Sequence, residues 1–222
     1  MNKLTSLVVI ALVFSAFGVS LSQTGDKTIV QTEAGRLVEQ MREFSMQRAA
    51  GPRSDGTIDP RERRRQEITE KLRRLGKQAV PALVQALADP NVQMRRNAEL
   101  VLIELGGAYS HSMDPELKVD IREAIPSLIV ATEDTDSTVR AWAALALAEV
   151  GPDAWEAIPV LIRLLKDPEE GPRNTSCIAL GRIGTAAKEA LPALREALND
   201  PSKDVRDFAQ RAIENIQNGP IR

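Results

Sequence analysis

The sequence predicts an all-α fold, a solenoid of stacked antiparallel helix pairs. The first indication is a four-residue motif that occurs four times, with its prolines at Pro81, Pro126, Pro159 and Pro192. In each copy an aliphatic residue precedes the proline, and leucine follows two positions after it. The intervals between these prolines are 45, 33 and 33 residues, and periods in this range are typical of helical-repeat arrays. An aromatic content of only 3% suits helices that pack through alanine and leucine.

Within each repeat unit, the pattern predicts a first helix, a short turn, a second helix and a stop. Proline near the start of the first helix costs little, because its missing N–H needs no partner there. Eight residues later comes an aspartate that we expect to cap the second helix: Asp89, Asp134, Asp167 and Asp200. In three units a proline follows, expected at the first helical position: Pro90, Pro168 and Pro201. Glycine then ends three of the units: Gly106, Gly151 and Gly184.

Both ends of the array, predicted to cover residues 59–217, have their own patterns. Residues 59–75 predict a helix that starts after Asp59, the second helix of a degenerate half repeat. The last helix is predicted at about 203–217, with a polar outer face that suits a terminal cap, followed by a tail at 218–222. The long first interval places an insertion at 107–120.

The N-terminus resembles an export signal. A single lysine precedes an apolar stretch of about 16 residues and small residues before Gln23, which predicts a signal peptide at 1–22. An uncleaved membrane anchor is the alternative, although the stretch is short for a span. Residues 23–58 are predicted to form a helix at 28–48 and then a flexible joint, and we expect that helix to pack on the first repeat. The resulting expectation is an exported, periplasmic or secreted, bacterial protein.

The repeat resembles the HEAT repeat, and its short period is most similar to the phycobilisome-lyase-type HEAT-like subgroup. The resemblance is carried by the proline, the aspartate eight residues later, and valine and arginine at thirteen and fourteen residues. Val139 and Val205 fit the valine position, whereas Met94 and Pro172 depart from it. The resemblance implies a right-handed α-solenoid with about four full repeats. It also implies a structural ladder in which arginines bond the aspartates of adjacent turns, formed with those aspartates by Arg95, Arg140, Arg173 and Arg206.

Variable positions on the second helices are where we expect a concave binding surface. These lie fifteen and eighteen residues after the repeat proline: Arg96, Glu99, Ala141, Ala144, Asn174, Cys177, Asp207 and Gln210. The arginine column could instead grip an acidic partner. Trp142 and Trp155 could anchor an interface, but packing between repeats is the expected role. The basic stretch that begins at Arg61 is interpreted as a salt-bridged, solvated face.

The sequence contains no catalytic constellation that we recognise. Its single histidine, His111, excludes the repeated His-Glu pairs of HEAT-like di-iron hydroxylases, and no Gly-rich phosphate loop or metal spacing is present. Cys177 is the sole cysteine, so no internal disulfide is possible, and we expect an inert thiol. A net charge of −2 gives no reason to expect nucleic acid as a partner.

Two hypotheses for the function follow. The first is a non-catalytic, exported module without cofactor or metal, a monomer that binds another protein through its concave face and touches the membrane only through its N-terminal signal. The alternative is a lyase-like or oxidoreductase-like enzyme of the same fold with a degenerate site.

Overall fold

The computed structural model describes residues 32–45, 60–107 and 119–219 of the 222-residue chain. Two helices come first, α1 (Glu33–Ser45) and α2 (Pro60–Leu75). Four short first helices follow: α3 (Val80–Ala86), α5 (Ile125–Ala131), α7 (Ile158–Leu164) and α9 (Leu191–Ala197). They alternate with four longer second helices: α4 (Val92–Gly106), α6 (Ser137–Val150), α8 (Glu170–Ile183) and α10 (Lys203–Asn218). These described ranges contain no β-strand, so the all-α solenoid prediction is confirmed.

Each first helix begins in the same way. A 3₁₀ turn precedes it, and the repeat proline stands within its first two positions, where no N–H is needed. Units two and three end at Gly151 and Gly184, whose φ angles of 74° and 71° reverse the chain into the next 3₁₀ turn. A side chain at either glycine would be strained in this conformation. The 3₁₀ turns therefore link consecutive units in a fixed geometry.

The predicted cap of the second helix is wrong by two residues. The capping side chains are Asn91, Asp136 and Ser202, and Glu169 stands at the corresponding position in unit three without a capping bond. The aspartates instead accept the backbone N–H two residues later, at 2.8–2.9 Å, which makes a side-chain-closed turn. This turn delays the helix, so the prolines that follow three of the aspartates lie in the turn and not at the first helical position.

The first unit also ends differently from the prediction. Gly106 is the last residue of α4, and Gly107, with a φ of 110°, terminates the helix. Gly106 is needed for close packing, because a Cβ added there would lie 2.6 Å from Cβ of Glu149 and 3.2 Å from Cδ1 of Ile121. The backbones of α4 and α6 approach each other at this point.

Gly106→Ala is therefore expected to lower the free energy of unfolding by about 1–3 kcal/mol, the usual cost of overpacking. Gly171→Ala is the matched control, because its Cβ would meet only Cβ of Ala141 at 3.7 Å. That control is expected to raise stability by up to about 1 kcal/mol, since alanine restricts the unfolded chain. Denaturant midpoints would measure both. A Gly106→Ala protein as stable as its control would show that the helices separate freely at this contact.

The core is a continuous layer of aliphatic side chains between helix pairs. It includes fully buried alanines and leucines of the second helices, for example Ala143, Leu147 and Leu180. Consecutive second helices contact each other far more extensively than consecutive first helices. Closer packing on one side bends an array toward that side, so the second helices line its inner surface.

At the N-terminal end, α1 packs against α2, α3 and α4. The helix predicted at 28–48 runs over Glu33–Ser45, and its predicted flanks lie outside the described residues. Leu37, Val38 and Met41 are its buried face. Because α1 pairs with α2, the predicted N-terminal half repeat becomes a helix pair. The predicted signal peptide at 1–22, most of the joint, the tail beyond Gly219 and most of the insertion, including His111, lie outside the described residues.

Candidate protein-binding face

The arginine fourteen residues after each repeat proline organises the turn edge of the array. Each of the four donates from Nη1 to two backbone carbonyls of its own turn, at 2.6–3.3 Å. The other edge of the guanidinium reaches the aspartate of the next unit in three cases: Arg95 to Asp134, Arg140 to Asp167 and Arg173 to Asp200. These rungs fix the position of each second helix relative to the next turn.

The rungs of Arg140 and Arg173 each consist of two hydrogen bonds, whereas Arg95 donates one such bond to Asp134. Arg140 donates from Nε to Oδ2 of Asp167 at 2.7 Å and from Nη2 to Oδ1 at 2.8 Å. Burial alone would raise the pKa of Asp167, but the bonds from Arg140 and from the backbone of Glu169 outweigh it and hold the pKa below its ordinary value. The pKa of Asp200 is lowered by the same balance of burial and hydrogen bonds. Both carboxylates are therefore stabilised in their charged form.

The first aspartate, Asp89, belongs to a different rung. Its Oδ2 lies 2.7 Å from Nε of Arg42 on α1, an ion pair without aligned hydrogen-bond geometry. Ser45 adds a second link, because its Oγ accepts from Asn97 at 3.0 Å and its carbonyl accepts from Asn91 at 3.2 Å. The C-terminal end of α1 thus occupies the place that a preceding second helix takes in the other units.

Positions fifteen residues after the repeat proline lie at the edge of the inner surface. Arg96 binds Asp136 of the next unit with two bonds of 3.0 and 2.6 Å, and Ala141 is buried. Asn174 is partly exposed, although its Oδ1 is buried without a hydrogen-bond partner among the described residues. Asp207 is exposed and accepts from Lys203 at 2.5 Å. Asn174 and Asp207 are thus the members of this column that are at least partly exposed and have no side-chain bond to a neighbouring unit among the described residues.

The prediction of a binding surface eighteen residues after the proline is wrong for three units. Glu99, Ala144 and Cys177 are fully buried. The physical reason is helical phase, because these residues follow the ladder arginine by four positions and share the face that points to the next unit. Gln210 is exposed on α10, the last described helix, and it donates to Glu214 at 2.6 Å.

Two of these buried residues carry ionisable groups. Burial raises the pKa of the Glu99 carboxyl well above its ordinary value, and the charge of Asp134 raises it further, while Arg95 opposes this. Neither carboxyl oxygen of Glu99 has a hydrogen-bond partner among the described residues. Burial also raises the pKa of the Cys177 thiol to about 12. A thiol in that state is a poor nucleophile at neutral pH.

The positions that line the inner surface are those sixteen and nineteen residues after the repeat proline. The sequence pattern did not lead us to predict them. They include five half-buried apolar side chains, called here the second-helix stripe: Leu100, Trp142, Leu145, Ile178 and Phe208. Ion pairs border the stripe, Arg182 with Glu149 and Arg73 with Glu104. Residues three apart share a helix face, so counting apolar side chains at this spacing would have found the stripe.

The N-terminal end of the stripe opens into a cleft of about 440 Å³ between α2 and α4. Leu100 and Asn97 contribute from α4, and Arg65, Thr69 and Arg73 from α2. Burial raises the pKa of Glu104 in this cleft, while Arg73 opposes the rise. The cleft offers a mixed surface for a side chain that carries both apolar and polar groups.

Other candidate residues lie away from this face. Trp155 is 58% exposed in the 3₁₀ turn before α7, so the expectation that it packs between repeats is wrong, whereas Trp142 does pack against the core. On α2, Glu70 bonds Arg74 at 3.1 Å, as expected of a solvated face. Within the described ranges, no group of three acidic, histidine or cysteine side chains could hold a metal ion. No helix there is long and apolar enough to cross a bilayer.

Comparisons with known proteins bear on the fold and the repeat. Residues 125–214 match the model of HEAT repeats. A comparison with curated proteins gives no match. An engineered protein of known structure is 21% identical, with a TM-score of 0.58, and the alignment covers 99% of this chain and 100% of the other.

Two further structures are natural and designed helical repeats. The complex of CpcE and CpcF of phycocyanin lyase from Nostoc sp. PCC7120 is 21% identical, with a TM-score of 0.57 over 81% of this chain and 96% of the other. A computationally designed armadillo repeat protein for modular peptide recognition is 22% identical, with a TM-score of 0.56 over 85% and 84%. At these identities the likeness establishes the fold. Residues 125–214 thus match HEAT repeats, and the described part of the chain has the fold of a helical-repeat solenoid.

Proposed function

We propose that this chain is an exported, non-catalytic module that binds another protein across the second-helix stripe. The observation that carries the proposal is the stripe itself, in which apolar side chains from four consecutive second helices lie half-exposed in one band. Trp142 and Phe208 give this band two aromatic side chains, the type that most often anchors protein interfaces. The band crosses the units, as an elongated partner segment would.

The surroundings of the stripe also suit a protein partner. Ion pairs lie at its border rather than at its centre, which matches the polar rim and apolar core of protein interfaces. Arg211 lies over the ring of Phe208, 5.5 Å from its centroid, and adds a cation at the C-terminal end of the band. The export part of the proposal is supported by the charge and apolar pattern of residues 1–22.

Thr175→Arg tests the binding face. Thr175 occupies the same register position as Trp142 and Phe208, so a long cation there would cover the middle of the stripe. The same change at exposed Thr185, in the 3₁₀ turn after α8, is the matched control. The wild-type chain, purified after expression of the full chain, would be used to identify a partner in the envelope fraction and then to titrate that purified partner.

We expect Thr175→Arg to weaken binding at least about tenfold, close to 1.4 kcal/mol, and Thr185→Arg to leave it unchanged, both with native melting curves. Equal affinity for all three proteins would refute the stripe as the binding face. N-terminal sequencing of the purified chain checks export, since a start near Gln23 is expected. Bound iron or a bilin-type chromophore in the purified protein would favour the enzymatic alternative instead.

A further inference from the structure

Arg206 is the ladder arginine of the last described unit, and it has no aspartate side chain as its partner among the described residues. Arg206 makes the same contacts with its own turn as the other ladder arginines, because its Nη1 donates to the carbonyls of Asp200 at 2.6 Å and Pro201 at 3.0 Å. In Arg140 and Arg173 the corresponding bonds are 2.8–3.3 Å long. The guanidinium of Arg206 is therefore held in the same orientation as those that bind the next unit.

The outer edge of this guanidinium is unoccupied by a carboxylate within the described part of the chain. In Arg173 that edge, Nε and Nη2, binds the two oxygens of Asp200 at 2.7 and 3.1 Å. No ion pair of Arg206 is present among the described residues. Because the side chain is already ordered by its own turn, binding a carboxylate there costs little additional conformational entropy.

The residues around Arg206 also leave its outer edge open to a carboxylate from outside the described residues. Gln210 follows it by one helical turn on the same terminal face, and its neighbour Glu214 is occupied by the bond from that glutamine. The three filled rungs show what the edge of Arg206 accepts. Each acceptor is an aspartate whose Oδ1 also receives the backbone N–H two residues later, so its carboxylate is oriented by its own turn.

We infer that the C-terminal end of the array binds a turn of another polypeptide in which an aspartate is oriented in this way. A second copy of this chain in the same fold is a poor occupant, because its aspartates of this kind are already paired: Asp89 with Arg42, Asp134 with Arg95, Asp167 with Arg140 and Asp200 with Arg173. The site lies on the terminal face and is independent of the second-helix stripe. It would extend the array by adding one more turn to its ladder.

The test uses the full chain and a defined probe, an acetylated and amidated peptide with the sequence of residues 200–205. The control peptide has asparagine in place of its first aspartate. The side-chain Nε–H resonances of the arginines are followed by NMR in isotope-labelled protein during titration with each peptide. Arg140 and Arg173, whose edges are filled, and exposed Arg195 are internal controls.

We expect the aspartate peptide alone to shift the Arg206 resonance saturably and to leave the three internal controls unmoved. Arg206→Lys should weaken binding about tenfold, since an ammonium cannot form the two-pronged contact. A lack of saturation up to the solubility limit of the peptide would overturn the inference. Equal shifts of the Arg206 resonance with the two peptides would also overturn it. So would an equal shift of the Arg195 resonance, because it would show that the peptide associates non-specifically with exposed cations.

Discussion

Replacing Arg140 with alanine is expected to lower the free energy of unfolding by about 3–5 kcal/mol, the usual cost of removing one partner from a buried ion pair. The side chains of Arg140 and Asp167 are only 14% and 7% exposed. Without the guanidinium, the carboxylate of Asp167 would keep its backbone bond from Glu169 but lose both side-chain donors. Chemical denaturation followed by circular dichroism would give the value.

Arg206→Ala is the matched control for this experiment. It removes the same bonds to the carbonyls of the turn but no inter-unit carboxylate contact among the described residues, so a loss of about 1 kcal/mol is expected. The difference between the two variants isolates the rung between units. Equal losses would show that the arginines act only on their own turns.

The rungs also have a definite acid dependence. Hydrogen bonds and arginine charges hold the pKa of Asp167 and of Asp200 below the ordinary value of 3.8 despite burial. A carboxyl with a lowered folded-state pKa adds stability above its unfolded pKa, and this is lost as the pH falls through the folded value. The Arg140→Ala deficit should therefore shrink when the protein is unfolded in acid, below about pH 4.

Replacing Glu99 with methionine is expected to stabilise the protein near pH 7 by about 1–3 kcal/mol, the usual cost of burying a polar group without hydrogen-bond partners. Glu99 is 0% exposed, and neither of its oxygens has a hydrogen-bond partner among the described residues. Methionine is unbranched, of similar length and favourable in helices. The exposed Glu189→Met change is the control, and little effect is expected there.

The gain from Glu99→Met should depend on pH with a sign opposite to that of the rungs. Burial, with the charges of Asp134 and Asp136, raises the pKa of Glu99 well above 4.5, against the opposing charges of Arg95 and Arg96. A raised carboxyl pKa means that the folded state holds its proton longer, so the wild-type chain loses stability as the pH rises above the unfolded pKa. The benefit of methionine should therefore fall toward pH 4.5. A gain that does not change with pH would show that Glu99 is ionised in the folded protein at no cost.

Much of the fold could be predicted because the repeat marks fixed points in every unit. Proline, aspartate and arginine recur at constant spacing, and each has a structural reason to be there. The error of two residues at the caps has a physical cause, since the aspartate bonds to a later N–H and delays the helix. An aspartate shortly before a helix can either close a turn or cap the helix, and the sequence looks the same in both cases.

The binding face was harder to predict, because the spacing alone does not give the absolute rotation of the second helices. Once Arg140 is known to point toward the next unit, Ala144 must point there too, and Trp142 and Leu145 must face inward. Glu99 was placed on the binding surface because its side chain is polar, but the structure buries it. The exposure of Trp155 depends on a 3₁₀ turn that no helical period describes.

The cleft between α2 and α4 has a consequence for how the array opens. Consecutive second helices from α4 onward pack closely against each other, whereas α2 contacts α4 over a smaller area. The aspartate of the first unit, Asp89, is held by a single ion pair with Arg42 of α1 and not by a ladder arginine. In a one-dimensional stack of units, unfolding starts where coupling between neighbours is weakest. The molecule should thus unravel from its N-terminal pair inward, and amide protons of α2 should exchange with solvent long before those of α8.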